Sequence, residues 1–391
     1  MITLSKRMLA RLAGLTFALT AASAGPAAAQ TLNVGLIVSV TGPAASVGLT
    51  QRNAVALLPK TVGGLNANYI LLDDASDTST TVKHARKLLV EDRIDVMVGP
   101  SLTPNSLAIV DLMKESKTPM VSLGGSAAIV EPVAQREWVF KTPQSDQQMA
   151  TAVVKHMLDN GVKTVGFIGF NDAYGEGWWR EFSKLAELRK LNVVASERFV
   201  RTDTSVTGQI LKLMSASPDA IFIAASGTPA ALPQTTLADR GYRGKVYQTH
   251  GVANNDFLRV GGKALEGTFV PASPVLVAEQ LPDSHPSKAI AMDFVRRYEA
   301  AHGPNSRSAF AAYLYDAVLV LDRAVARARQ AGAPGSEAFR VALRAAIEQT
   351  REVVGNSGVF NMSPTDHLGL DQRSRVMVQI RGGKWLLVDT H

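Results

Sequence analysis

The chain has 391 residues, no cysteine and a formal net charge of +7, with 46% hydrophobic and 19% charged residues. That length exceeds one ordinary core and suits two lobes of roughly 150 residues each, in a composition that is globular rather than disordered. The missing cysteines exclude disulfides, thiolate catalysis, zinc–thiolate sites and iron–sulfur clusters, and the scattered basic residues, with no Lys/Arg run interleaved with aromatics, argue against nucleic acid as a partner.

The first 29 residues read as a secretory signal peptide. Lys6, Arg7 and Arg11 give a basic start, residues 12–24 a short apolar stretch, and Ala27, Ala28 and Ala29 a cleavage signal before Gln30. The apolar stretch falls short of the ~20 residues a membrane span needs. The expected mature chain carries a charge of +4 and no cysteine for a lipid anchor, which places it free in the periplasm.

Beyond Gln30, short β-rich runs alternate with helical stretches. Residues 32–40 read as a buried strand broken at Thr41-Gly42-Pro43 and followed by a helix to about Leu58. Strands at 69–72, 95–99 and 119–123 alternate with helices at 79–91 and 106–116. The rhythm then repeats: helix 146–160, strand 164–169, helix 175–190, strand 193–199, helix 205–215, strand 220–224, helix 228–240 and strand 245–248. This is an α/β fold of two similar doubly wound parallel-sheet lobes. Residues 271–286, rich in Pro and Ser, read as a crossing and a loop. Helices follow at 287–301, 308–330 and 336–349, then short strands from 358 to 388 around Gly382-Gly383.

Enzyme signatures are missing: no nucleophile elbow, no Walker A loop, no paired-histidine metal motif and no dinucleotide fingerprint. The seven histidines are dispersed, so neither a metal nor a cofactor is expected. The pair Asp73-Asp74 at a strand end suits loop-holding and capping better than acid–base work. What remains is a set of small, hydroxyl- and glycine-rich loops at the carboxyl ends of strands, where open α/β sheets bind ligands: 41–48, 100–105, 124–126, 172–177, 226–228 and 250–254. Several lead into helices, whose N-termini suit a carboxylate. The hydroxyls of Thr103 and Ser126 read equally as ligand donors and as plain N-caps.

The ordered series V-G-L-I-V-S-V-T-G-P (34–43), D-D-A-S-D (73–77), V-M-V-G-P-S-L-T-P (96–104), P-M-V-S-L-G-G-S (119–126), N-D-A-Y-G-E-G (171–177) and G-V-A-N (251–254) resembles the leucine/isoleucine/valine-binding family of periplasmic proteins. These are type I clamps of ABC importers, and the resemblance spans nearly the whole mature chain. It implies three chain crossings, near Lys141, Ala272 and Thr350. Lobe I would then comprise 30–141 plus 272–349, and lobe II 142–271 plus 350–391. It also implies a monomer that binds a small solute by hinge closure and presents it to a permease and ATPase subunits.

Position by position, the resemblance puts carboxylate contacts at Thr103, Gly124 and Ser126, a second-lobe tyrosine at Tyr174, and an apolar wall at Phe310, which ordinary helix packing explains as well. Three positions depart from the amino-acid-binding pattern. Val47 replaces an aromatic, Ser226 a tyrosine, and His250 the acid that pairs with an α-ammonium group. The expected ligand is therefore a small carboxylate without that ammonium, an aromatic or 2-keto acid. The alternatives are a branched-chain amino acid whose ammonium pairs with Glu176 or another acid, and a sensory module using the same clamp. Trp178 and Trp179 read as sheet packing or as a stacking surface, and Asp366-His367 as turn structure.

Overall fold

The computed structural model describes residues 31–389; the expected signal segment lies outside them. The first sheet is built from β1 (Thr31–Val38), α1 (Ala45–Ala54), β2 (Thr61–Val62), β3 (Leu65–Asp73), α2 (Thr78–Val90), β4 (Val96–Val98), α3 (Thr103–Ala108), α4 (Val110–Glu115), β5 (Met120–Ser122) and β6 (Val139–Lys141). The chain then winds a second layer through α5 (Asp146–Asp159), β7 (Thr164–Phe170), α6 (Ala173–Leu188), β8 (Asn192–Phe199), α7 (Thr207–Ser215), β9 (Ala220–Ala224), α8 (Ala231–Asp239), β10 (Lys245–Gln248), α9 (Asn255–Gly261) and β11 (Phe269–Ala272). Three helices follow, α10 (Lys288–His302), α11 (Ala309–Ala328) and α12 (Glu337–Glu348). The hairpins β12 (Val353–Gly355)/β13 (Gly358–Phe360) and β14 (Val376–Arg381)/β15 (Lys384–Asp389) close the chain.

The sheet orders are β2-β3-β1-β4-β5-β6 and β15-β14-β11-β10-β9-β7-β8. The winding repeats: β1 lies between β3 and β4, as β7 lies between β8 and β9. Strand order therefore reverses between β1 and β4 in one sheet and between β7 and β9 in the other. These strands pair in parallel, and β4 and β9 are buried throughout, as strands covered by helices on both faces must be. Crevices at such reversal points are where ligands of open α/β sheets sit.

Local chemistry sets the helix starts. Asp77 caps α2 by accepting from Thr80 N (2.7 Å), Ser145 and Gln148 form a capping box on α5, and Asp172 caps α6 through Tyr174 N and Gly175 N. The expected single helix over 106–116 is two short ones, broken at Ile109 (φ −117°). Helix α9 and strands β2 and β12 carry too short a periodic signal for the sequence to reveal, whereas β13, β14 and β15 fall among the short strands expected from 358 to 388. The pair Asp73-Asp74 holds loops as expected. Buried Asp74 accepts from Ser39 Oγ (2.7 Å) and Asn105 Nδ2 (2.8 Å), tying the loop after β1 to α3.

The segments that pass between the layers are knotted by buried polar bonds. Thr142 Oγ1 donates to Tyr313 O (2.8 Å), Tyr313 Oη to Gln144 Oε1 (3.0 Å), and Gln144 Nε2 to Ser357 O (3.0 Å). Asp316 on α11 accepts from the backbone N–H groups of Asn356 (2.8 Å) and Ser357 (2.9 Å), with its pKa pushed up to about 6 by burial. In the Asp366-His367 turn, Asp366 accepts from Leu368 N and Gly369 N, while His367 bridges Val139 O (2.8 Å) and Glu348 (3.2 Å).

Candidate functional site

The two reversal points face each other across a cavity of about 30 Å³, well below the ~300–1,000 Å³ of small-molecule sites, so a solute needs the walls to part. Val47 comes from the segment after β1; Ser101, Leu102 and Thr103 from that after β4; Leu123 and Gly125 from that after β5. Opposite stand Tyr174 after β7, Arg201 after β8, Ser226 after β9, and His250 and Gly251 after β10. Phe310 and Tyr313 of α11 and Pro143 at the first crossing complete the wall.

Six of the side chains singled out from the sequence thus converge: Val47, Thr103, Tyr174, Ser226, His250 and Phe310, all buried. Gly124 and Ser126 lie just behind the wall, and their polar groups are engaged. Gly124 N donates to Ser122 Oγ (3.0 Å), and Ser126 Oγ donates to Asp146 Oδ2 (2.8 Å) while capping the turn at 127–129. Asp146, fully buried, also accepts from Ala127 N. Of the three carboxylate contacts the resemblance implies, only Thr103 keeps an unpartnered side chain: its Oγ1 is enclosed and makes no hydrogen bond.

On the opposite wall, Thr249 Oγ1 donates to Ala225 O (2.7 Å), so its proton is committed. The Tyr174 hydroxyl, 2.8 Å from that oxygen, must then be the donor between them and keeps only lone pairs for a ligand. Burial pushes the Tyr174 pKa well above its ordinary value, so the phenol stays protonated. His250 is pushed down to about 3, by burial and then by the charge of Lys141, and is a neutral imidazole near pH 7. Its Nδ1 is enclosed without a partner. Two glycines permit this packing. A Cβ on Gly125 would stand 3.0 Å from His250 Nε2, and one on Gly251 would stand 2.5 Å from Tyr174 Oη. Trp178 packs against Phe222 and His250, and Trp179 against Phe167; neither lines the cavity.

Arg201 is the residue the sequence reading passed over. Its Nε donates to Asp172 Oδ2 (2.7 Å), its Nη1 to Ser226 Oγ (2.9 Å), and its guanidinium lies 4.1 Å from the centre of the Phe170 ring. The available signal was positional: Arg201 stands two residues beyond the carboxyl end of β8. Glu176, a candidate partner for an ammonium group, is paired to Arg198 (2.5 Å) and does not line the cavity. Among the described residues no His, Asp or Glu group could hold a metal ion, and no helix is long and apolar enough to cross a membrane.

Two like-wound layers that meet over a small cavity at their strand ends define a solute-binding clamp. A model of the periplasmic binding protein family matches residues 31–384, and the chain belongs to that family, in its leucine/isoleucine/valine-binding type. It is 27% identical over 339 residues to the Leu/Ile/Val-binding protein BraC3 of Rhizobium johnstonii, covering 84% of this chain and 88% of that one. An extracellular ligand-binding receptor from Rhodopseudomonas palustris HaA2 superposes with a TM-score of 0.89 at 40% identity, over 92% of this chain and 100% of that one. A solute-binding protein of an ABC transporter from R. palustris BisB5, solved with 3,4-dihydroxy benzoic acid, shares the fold (TM-score 0.77, 23% identity, 92% of this chain and 96% of that one). The chain is thus a periplasmic solute-binding protein of the ABC-transporter type, and its relatives are binding proteins rather than enzymes.

Proposed function

We propose that the solute is a small carboxylate without an α-ammonium group, an aromatic or 2-keto acid, captured by hinge closure and delivered to an ABC permease. The observation that carries this reading is the make-up of the wall: its fourteen lining residues include no Asp and no Glu. An ammonium group enclosed there would lack a counter-charge, at a cost of several kcal/mol. Val47, Leu102, Leu123, Pro143 and Phe310 offer apolar contact for a flat ring. The Thr103 hydroxyl and the His250 imidazole suit a ring hydroxyl or a keto oxygen, and the acceptor face of Tyr174 suits a ring hydroxyl.

A branched-chain amino acid is the second reading, favoured by the ligands named for the curated relatives. A thermal-shift screen of residues 30–391 separates the two. Ligand at a hundred times its Kd adds about 2.7 kcal/mol, so benzoate, 4-hydroxybenzoate or phenylglyoxylate is expected to raise the midpoint by several degrees while leucine does not. A shift with leucine or valine and none with the acids would replace the proposal by the second reading.

A further inference from the structure

The resemblance implies that a ligand's carboxylate lands on lobe I, on groups near Thr103, Gly124 and Ser126. The hydrogen bonds argue otherwise, because Ser122 and Asp146 already occupy the Gly124 N–H and the Ser126 hydroxyl. No cation from the first sheet lines the cavity, and Lys141 at the end of β6 is fully buried. Across the cleft, Arg201 has five N–H donors and uses two of them, on Asp172 and Ser226. Its aim is fixed by that pair and by the Phe170 ring. Asp172 does not cancel it, because the same carboxylate also accepts from Tyr174 N (2.8 Å) and Gly175 N (3.1 Å) at the start of the 16-residue helix α6. The aspartate charge is therefore shared with a helix N-terminus that itself favours anions.

We infer that Arg201 is the carboxylate anchor, and that the solute lies reversed, with its acid end on the second-sheet wall at Arg201 and its body toward Thr103 and Val47. The inference rests on the reading of the ligand as a carboxylate, and it makes Arg201 a specificity-determining residue. A charge-assisted bond formed on the wall opposite Thr103 also ties binding of the acid end to closure of the cleft.

The test is calorimetric titration of wild type, R201Q and R201K with matched pairs: benzoate against benzamide, phenylglyoxylate against its methyl ester, and leucine against leucinamide. R201Q is expected to weaken the acids by roughly 10- to 100-fold and to leave the uncharged partner of each pair within about 2-fold, with R201K recovering part of the loss. A purely structural role for Arg201, bracing Asp172 and Ser226, would weaken both members of a pair alike, and that result overturns the inference. So does an R201Q that binds the acids as wild type does. If leucine alone binds wild type, the aromatic or keto reading fails, yet the R201Q loss on leucine against leucinamide still decides the anchor. Failure of every probe to bind wild type overturns both.

Discussion

The two sheets are wound in the same order and line the cavity from three strand ends in the first and four in the second, yet each treats its cation differently. In the first, Lys141 ends the edge strand β6 and turns inward, where its Nζ meets only Gln144 O at 3.4 Å. In the second, Arg201 follows the edge strand β8 and reaches the cavity wall, braced by Asp172. Topology fixes where the site lies, whereas the partners each side chain finds nearby decide whether a charge is available to a ligand. The first-sheet wall is left with hydroxyls and apolar groups, and the second carries the charge and the imidazole.

The largest effect that sharpens this contrast concerns the hidden cation. Burial lowers the Lys141 pKa from 10.5 to about 7, against the opposing pull of Asp146 and Glu131. A lysine whose folded pKa lies below its unfolded value binds fewer protons when folded, so stability rises with pH between the two values. The penalty is complete below about pH 7 and vanishes as pH approaches 10.5. It is on the order of 4 kcal/mol near neutrality. K141M is therefore expected to be more stable than wild type at pH 7, with the gap narrowing toward pH 10 in denaturant titrations. A gap constant over that range would mean that Lys141 is charged and paired in the fold, and the contrast between the two cations would collapse.

How far the sequence carried this site is itself physical. The βα rhythm was legible because strands buried on both faces are continuous apolar runs, as in AIFIA at 220–224, and because helix starts carry their own caps. The strand-end loops were legible because glycine and hydroxyl residues mark them, and Thr103, Tyr174, Ser226 and His250 all reach the cavity. Arg201 was not, because the loop Arg201-Thr202-Asp203 has no glycine and its role depends on Asp172, 29 residues earlier. Nor could the sequence reveal that Asp146, 20 residues on, takes the Ser126 hydroxyl. Side-chain partners set by tertiary contact leave no local periodicity to read.

His250 tests the second-sheet wall next. H250D would supply the acid that the cavity lacks, in a site where burial keeps the present imidazole neutral. Aromatic and 2-keto acids are expected to lose roughly 100-fold in affinity, as a like charge is enclosed beside them. Leucine is expected to gain, since its ammonium finds a partner. Calorimetry with 4-hydroxybenzoate and leucine reads both changes. Unchanged affinity for the aromatic acid would place its acid end far from His250 and break the link between that position and ligand class.

The smallest expected change belongs to the first-sheet wall. Thr103 Oγ1 is enclosed and has no protein partner, so a ligand oxygen is the natural acceptor or donor to complete it. T103V keeps the shape and removes the hydroxyl, and the loss of one neutral hydrogen bond is worth about 1 kcal/mol. Affinity for 4-hydroxybenzoate is expected to fall by roughly 5-fold, less than for R201Q, because Thr103 meets a neutral part of the solute. A loss equal to or greater than that of R201Q would mean that the carboxylate sits on the first-sheet wall after all, in the orientation the family resemblance implies. If T103V instead leaves affinity unchanged, the hydroxyl faces space that the solute does not fill, and the body of the ligand lies against Val47 and Phe310 rather than beneath α3.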